Sequence, residues 1–444
     1  MKFFKLIIIY FQGANTNCLP APQPPCSSAK ASATRGEGVS LPSGNNPFRE
    51  LKNIIITTML LLLFPFVSSC RDQQMEIRPG ACQTLEYLPL LQGKSVALVV
   101  NHTSLIDQTH LADSLLDLDI NIIQIFSPEH GFRGNEDAGA LVKDGVDPRT
   151  GLTVVSLYGS HKKPQPEDLE NIDIVVFDLQ DVGVRFFTYI STLYYVMEAC
   201  AENDIPIIVL DRPNPNGDYV AGAVLDMDLK SFVGILPLPV VYGLTMGELA
   251  GMINGEGWLK DNLQCDLRVI RIKNWDHNTH YELPVKPSPN LPNYQSVRLY
   301  PSLCIFEGTN MSVGRGTMFP FQVIGYPDST YGSFTFTPES IKGMAMNPKH
   351  KNERCYGMDL RNIDPPKFTL HYFFDYLRIS NDSTAYLERP EWIEMLMGDP
   401  DFIEKVKAGQ TEAQITESWQ ADLNAYLLMR KKYLLYPDFD AVKK

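Results

Sequence analysis

Several common signatures of catalysis and binding are missing from this sequence, and each absence narrows what the chain can be. Basic residues are outnumbered, 39 Lys and Arg against 52 Asp and Glu, giving a formal net charge of −13. Nucleic acid is therefore not an expected partner, because phosphate recognition needs clustered cations. A single well-placed Arg can still serve an anionic small ligand whatever the global charge. Cysteine is scarce: of 8 in the chain, Cys82, Cys200, Cys265, Cys304 and Cys355 follow Cys70. Their wide spacings and the lack of a C-x-x-C pair point to neither a disulfide framework nor a zinc site, so most read as small buried hydrophobes. There is no H-x-x-x-H pairing, no G-x-S-x-G nucleophile elbow, no phosphate loop ending in Lys-Ser/Thr and no internal repeat. A metal centre, a serine nucleophile of that type and a nucleotide cradle are all disfavoured, and no cofactor is expected.

What is present is ordinary for a globular enzyme: 44% hydrophobic and 20% charged residues in 444. That length predicts two domains or subdomains. Residues 53–66 form an apolar run behind Arg49 and Lys52. The run is short for a bilayer span and has the length of a signal-peptide core. It closes on Val67-Ser68-Ser69-Cys70, which resembles a bacterial lipobox. Lipidation of Cys70 and attachment to the membrane, on the periplasmic side of the cell envelope, are the expectation; a buried hydrophobic helix is the alternative. Residues 1–50 hold a short apolar stretch at 3–11 and a Pro/Ser/Ala/Gly-rich segment without periodicity, a composition that builds no core. Residues 1–70 thus read as a disordered extension plus a lipoprotein signal segment, with translation expected to start near Leu51.

From about residue 84, strand-like and helix-like segments alternate. Continuous apolar runs at 95–100, 122–126, 153–157, 173–179 and 206–210 read as strands; 107–116 and 189–202 read as helices, with a short one near 166–169. Buried strands separated by helices predict a parallel sheet covered on both faces, an α/β, Rossmann-like, doubly wound architecture. Asn101-His102-Thr103 follows the first strand where a dinucleotide site would need G-x-G-x-x-G. Beyond it come a helix at 244–258, a strand at 265–272 and a proline-rich stretch at 284–301 that reads as a crossover. Short strands at 321–325 and 333–337 and helices at 370–377 and 421–434 suggest a smaller α+β C-terminal subdomain. The expected division is 84–285 and 286–444.

Open parallel sheets bind ligands beyond the carboxyl ends of their strands. Four of the five strand ends here carry polar, turn-forming blocks: Asn101-His102-Thr103, Ser127-Pro128-Glu129-His130-Gly131-Phe132-Arg133-Gly134, Asp178-Leu179-Gln180-Asp181-Val182-Gly183-Val184-Arg185 and Asp211-Arg212-Pro213-Asn214-Pro215. A partly desolvated Glu129 suits proton donation to a leaving oxygen; a surface pair with Arg133 is the plainer alternative. Asp178 and Asp181 suit orienting a base, holding a metal or capping a helix. Arg185 and Arg212 suit a carboxylate, and Asp211 suits ordering Arg212. A second cluster, Phe306-Glu307-Gly308-Thr309-Asn310 through Gly314-Arg315-Gly316, offers Glu307 and Arg315 to a cleft, or a turn in which they pair with each other.

Together with Phe177 and the Glu307-Gly308-Thr309-Asn310 run, these ordered blocks resemble the exo-β-N-acetylmuramidase family of the NamZ type, formerly a domain-of-unknown-function family. The resemblance spans about 84–444. It implies a Rossmann-like N-terminal subdomain, a smaller C-terminal one, a site in the cleft between them, and release of non-reducing terminal N-acetylmuramic acid (MurNAc) from peptidoglycan fragments. It implies a catalytic carboxyl at Glu129 and a supporting role for Glu307. Asp178 is the other candidate across the cleft, since glycoside hydrolysis usually employs two carboxylates; the substrate's 2-acetamido group is a further possible nucleophile. Asn101, His102, His130, Arg133, Asp181, Arg185, Asp211, Arg212, Asn310 and Arg315 are the candidates for substrate binding. The MurNAc lactyl carboxylate calls for a cation, from Arg133, Arg185, Arg212 or Arg315. Two rival readings are a metal-dependent hydrolase using His102, His130 and Asp178, and a non-enzymatic sugar-binding lipoprotein.

Overall fold

The apolar runs of the N-terminal half line up side by side in one sheet. The structure, a computed structural model, describes residues 75–129, 131–133 and 145–439; the leader, Cys70 and His130 lie outside them. In chain order the strands are β1 (Ser95–Val100), β2 (Leu105–Ile106), β3 (Thr109–His110), β4 (Asn121–Ser127), β5 (Gly145–Val146), β6 (Thr153–Ser156), β7 (Ile174–Asp178), β8 (Ile207–Leu210) and β9 (Leu267–Ile270). Seven of them form a sheet in the order β5-β6-β4-β1-β7-β8-β9. All neighbours are parallel except β5, which runs antiparallel to β6 at the edge. The chain winds outward from β1 through β4 to β6, then returns to the other side of β1 and continues through β7, β8 and β9. That reversal is the topological switch of doubly wound sheets, and it gathers the carboxyl ends of β1, β4, β7 and β8 on one edge. Val-, Ile- and Leu-rich β1 and β7 are buried on both faces, as a parallel sheet requires.

The helices of this half are α1 (Thr84–Leu91), α2 (Leu111–Asp117), α3 (Tyr189–Glu202) and α4 (Met246–Gly255). Helix α3 has the expected bounds and is buried along most of its length. The helix expected at 107–116 begins later. Asp107 adopts φ 52° and turns a hairpin between β2 and β3, and the His110 ring accepts from Ala112 N–H to start α2. The proline-rich stretch at 284–301, read as a crossover, turns helical in its second half. Asn293 and Ser296 form a capping box, and α5 (Tyr294–Leu303) runs from there with Pro301 inside it.

In the C-terminal half β10 (Val323–Tyr326), β11 (Phe334–Phe336) and β12 (Cys355–Asp359) make an antiparallel sheet in the order β10-β12-β11. Helices α6 (His371–Ile379), α7 (Ser383–Tyr386), α8 (Pro390–Met397), α9 (Phe402–Lys407), α10 (Glu412–Ser418) and α11 (Gln420–Arg430) follow. One apolar cluster runs from Ala97 and Phe177 through Leu299 and Phe373 to Tyr426. Cys200, Cys265, Cys304 and Cys355 are buried, Cys82 is half-buried, and all five are free. Residues 430–438 return to the sheet. Tyr436 donates its hydroxyl to Asp211 Oδ2 (2.6 Å) and accepts from Ile272 N–H (2.9 Å). Leu435 N–H reaches Glu248 Oε1 (2.9 Å), His277 N–H donates to Pro437 O (3.1 Å), and Arg430 pairs with Asp438 at 2.7 Å.

Candidate active site

Glu129 lies just beyond β4, in a turn closed by the bond from Gly131 N–H to Pro128 O (3.1 Å). The Thr188 hydroxyl donates to Glu129 Oε2 at 3.3 Å, and Tyr158, just past β6, hydrogen-bonds the same carboxyl. Burial first, and the Glu129 charge second, hold the phenols of Tyr158 and Tyr189 above their ordinary range. Glu129 opens into a cleft that, with the open solvent at its mouth, encloses about 430 Å³. The segment between β7 and α3 supplies Phe186, Phe187 and Thr188 to one side of it, and the first residue of α3 supplies Tyr189. Ser288, Asn290, Tyr300, Arg315 and Phe321 come from later in the chain. Edge-to-face contacts stiffen the aromatic lining, with ring centroids 4.7 Å apart for Phe187–Tyr189, 5.2 Å for Phe186–Tyr300 and 4.9 Å for Tyr300–Phe321. Arg315 lies over the Phe321 ring and is held through Nε (2.8 Å) and Nη2 (2.5 Å) by Glu307 Oε1. The cleft therefore joins a carboxyl, an aromatic lining and a guanidinium, which suits a sugar ring bearing an anionic substituent.

Of the residues anticipated from sequence, Glu129 and Arg315 share this cleft; several others build it or lie elsewhere. Asp178, at the end of β7, is fully buried and gives both oxygens to Arg212, at 2.5 and 2.8 Å. Arg212 also donates to Leu105 O (3.0 Å), so this pair ties the β2 segment to the sheet, and neither residue lines the cleft. Asp181 is buried too: Gly183 N–H (2.6 Å) and the Tyr242 hydroxyl donate to its Oδ2, and burial pushes its carboxyl up to about 7. Gly183 is required in that turn because it takes φ +77° and a Cβ would fall 2.1 Å from Asn214 Oδ1. Arg185 is buried and donates to the carbonyls of Ala223 (2.8 Å), Leu238 (2.7 Å) and Leu396 (2.7 Å). The last contact places its charge at the C-terminus of α8, where the helix dipole favours a cation. Burial lowers the Arg185 guanidinium to about 9.

Asp211 caps α4 and does not line the cleft. It accepts from Gly247 N–H (2.8 Å) and from the hydroxyls of Thr245 (2.7 Å) and Tyr436 (2.6 Å), and burial raises it to about 6. Arg133 is committed to Asp147 (2.8 Å) and lies near Asp113 (3.7 Å), away from Glu129's cleft. Asn101 is fully buried; its Nδ2 donates to the Tyr189 hydroxyl at 2.7 Å, while its Oδ1 accepts from Thr103. The His102 ring meets Lys286 O at 2.9 Å. Both residues thus brace parts of the lining rather than line it. Asn310 joins Tyr386 and His350 through its backbone. Glu307 forms the pair with Arg315 that its spacing allowed.

Residues not singled out from sequence are Tyr158, Thr188, Tyr189, Ser288 and Asn290. Phe186-Phe187-Thr188-Tyr189 directly continues the polar block after β7, and Ser288-Pro289-Asn290 interrupts the proline-rich run with two small polar side chains. Those were the available signals.

Comparison with known proteins gives concordant matches over the described chain. The family models described as "Exo-beta-N-acetylmuramidase NamZ, N-terminal" and "Exo-beta-N-acetylmuramidase NamZ, C-terminal" match residues 96–295 and 298–436. The peptidoglycan beta-N-acetylmuramidase NamZ of Bacillus subtilis (strain 168) is 37% identical over 383 residues, covering 79% of this chain and 89% of that protein. Crystal structures of two DUF1343 family proteins from Bacteroides fragilis NCTC 9343 are also similar. The first has a TM-score of 0.76 at 44% identity, over 82% of this chain and 99% of its own. The second has a TM-score of 0.70 at 30% identity, over 81% and 99%.

Proposed function

Because this chain belongs to the NamZ family of exo-β-N-acetylmuramidases, we propose that it cleaves non-reducing terminal MurNAc from peptidoglycan fragments. It is a glycosidase, and the observation that carries the reading is the meeting of Glu129 and Arg315 in one aromatic-lined cleft. Glu129 is the proton donor to the leaving glycosidic oxygen, held by the hydroxyls of Thr188 and Tyr158. Arg315 receives the lactyl carboxylate. Of the four arginines considered, it is the one that lines the cleft, since Arg185, Arg212 and Arg133 are engaged elsewhere. Glu307 supports the reaction through Arg315, whose guanidinium it orients.

We read the cleft as the junction of the two subdomains, 84–285 and 286–444. The support is that Glu129 and 186–189 come from the first, while Ser288, Asn290, Tyr300, Arg315 and Phe321 come from the second. The run at 53–66 ending in Val67-Ser68-Ser69-Cys70 supports a lipid anchor on Cys70 and a place on the periplasmic side of the envelope. The deciding assay incubates the purified chain with MurNAc-GlcNAc and measures free MurNAc. Release by the wild type but not by Glu129→Gln is expected, and no release by the wild type would refute the assignment.

A further inference from the structure

Among the described residues that line the cleft, one side-chain acceptor has no partner. Asn290 is 2% exposed, and its Nδ2 donates to Met344 O at 2.9 Å. Its own N–H is held by Ser288 Oγ at 3.3 Å. Turning the amide over would set Oδ1 against the Met344 carbonyl, so the bond to Met344 fixes which end of the amide is which. Oδ1 then lies buried with no hydrogen-bond partner; among the described cleft-lining residues it is the one buried side-chain acceptor in that condition. Leaving such an atom unsatisfied costs about 1–3 kcal/mol, and at the wall of a cleft an arriving donor relieves that cost.

We infer that Asn290 Oδ1 accepts the N–H of the substrate's 2-acetamido group and makes Asn290 the residue that selects 2-acetamido sugars. The inference rests on the muramidase reading above and adds to it the part of the sugar that is read. Three features favour an amide N–H over other groups. An amide N–H is a pure donor, matching an atom that can only accept. The acetamido group is attached beside the anomeric carbon, close to the bond on which Glu129 acts. The anionic substituent is already served by Arg315, and a carboxylate would be repelled by Oδ1. A site built to hydrogen-bond a substrate N–H rejects the analogue lacking it, because its buried acceptor is then left unpaired.

The test compares kcat/KM on MurNAc-GlcNAc with kcat/KM on the same disaccharide carrying 2-O-acetyl in place of 2-acetamido on the MurNAc ring. That replacement keeps the carbonyl and removes the N–H. The wild type should prefer the acetamido substrate, and Asn290→Leu should lower that preference roughly 10-fold or more. Asn290→Ala, which leaves space where Leu crowds, provides the same comparison should Leu fail to fold, and thermal melts establish which variants are folded. A folded variant that loses activity equally on both substrates, or that keeps the wild-type ratio within about twofold, overturns the inference. A wild type that releases no MurNAc removes the functional reading, and this inference with it. An active wild type with an unchanged variant ratio removes this inference alone.

Discussion

Asp181 gives the clearest link between this fold and a measurable pH dependence. Its carboxyl is buried, Tyr242 and Gly183 donate to Oδ2, and Oδ1 has no partner. Burial raises it from 3.8 to about 7 in spite of those bonds. The folded state therefore favours the protonated acid. Its contribution to stability is complete below the unfolded value of 3.8 and disappears as pH rises through about 7. At ~1.36 kcal/mol per pH unit the gap amounts to about 4 kcal/mol. Asp181→Asn keeps an acceptor for Tyr242 and Gly183 but buries an unpartnered NH2 where Oδ1 stood, an offset of about 1–3 kcal/mol that does not change with pH. The variant should thus be less stable than wild type at pH 4 and more stable at pH 8. Its stability relative to wild type should swing by about 4 kcal/mol between the two. Asp211, raised to about 6 by burial, titrates in both proteins and cancels in the comparison. Urea unfolding of both chains at the two pH values measures the swing from the midpoints and slopes. A constant difference between wild type and variant across that range would refute the reasoning.

The remaining predictions concern the cleft and the anchor. Glu129→Gln should lower kcat on MurNAc-GlcNAc by about 10²–10⁴-fold while calorimetry still detects MurNAc binding; loss of binding together with turnover would instead make Glu129 a structural residue. Arg315→Met removes charge-assisted bonds of about 1.5–3 kcal/mol to the lactyl carboxylate, so kcat/KM on MurNAc-GlcNAc should fall roughly 10- to 150-fold. On the analogue without the lactyl group it should change by less than about threefold; equal losses on the two would count against Arg315 as the anion-binding residue. Labelled palmitate should enter the protein in a bacterial host and be lost in Cys70→Ser, and labelling that persists in the variant would exclude Cys70 as its site.

The parallel sheet was legible because β1, β4, β7 and β8 are short apolar runs with no competing pattern, and α3 because its apolar positions recur at helical spacing over several turns. The hairpin of β2 and β3 was not: it depends on the left-handed turn at Asp107, a residue that fits a helix as readily in a short window. Helix α5 was masked by neighbouring prolines, although Asn293 and Ser296 supply its cap. β12 contains Gly357 and becomes a strand through pairing on both sides with β10 and β11, contacts that lie outside any local window. At the site, sequence places polar residues at the correct edge of the sheet but cannot distinguish a carboxylate that faces the cleft from one that anchors it. Asp178, Asp181 and Asp211 all sit at strand ends, and all are consumed by partners distant in sequence: Arg212, Tyr242 and Tyr436. Glu129 differs because it lines the cleft itself, and its described partners, Thr188 and Tyr158, are hydroxyls rather than an arginine or a buried network.

The fastening of Tyr436 to Asp211 also orders events during synthesis. The two residues are 225 positions apart in the chain. At the usual pace of translation, roughly 10–45 s pass between the emergence of the carboxylate and that of the phenol. Throughout that interval the carboxylate at the end of β8 lacks this donor. A ribosome that stops short, or a protease that trims the tail, leaves a product with an unfinished seam beside Ile272 and Glu248. Copies that stop before Leu435 leave Asp211, Ile272 and Glu248 without these partners, a difference that limited proteolysis can read.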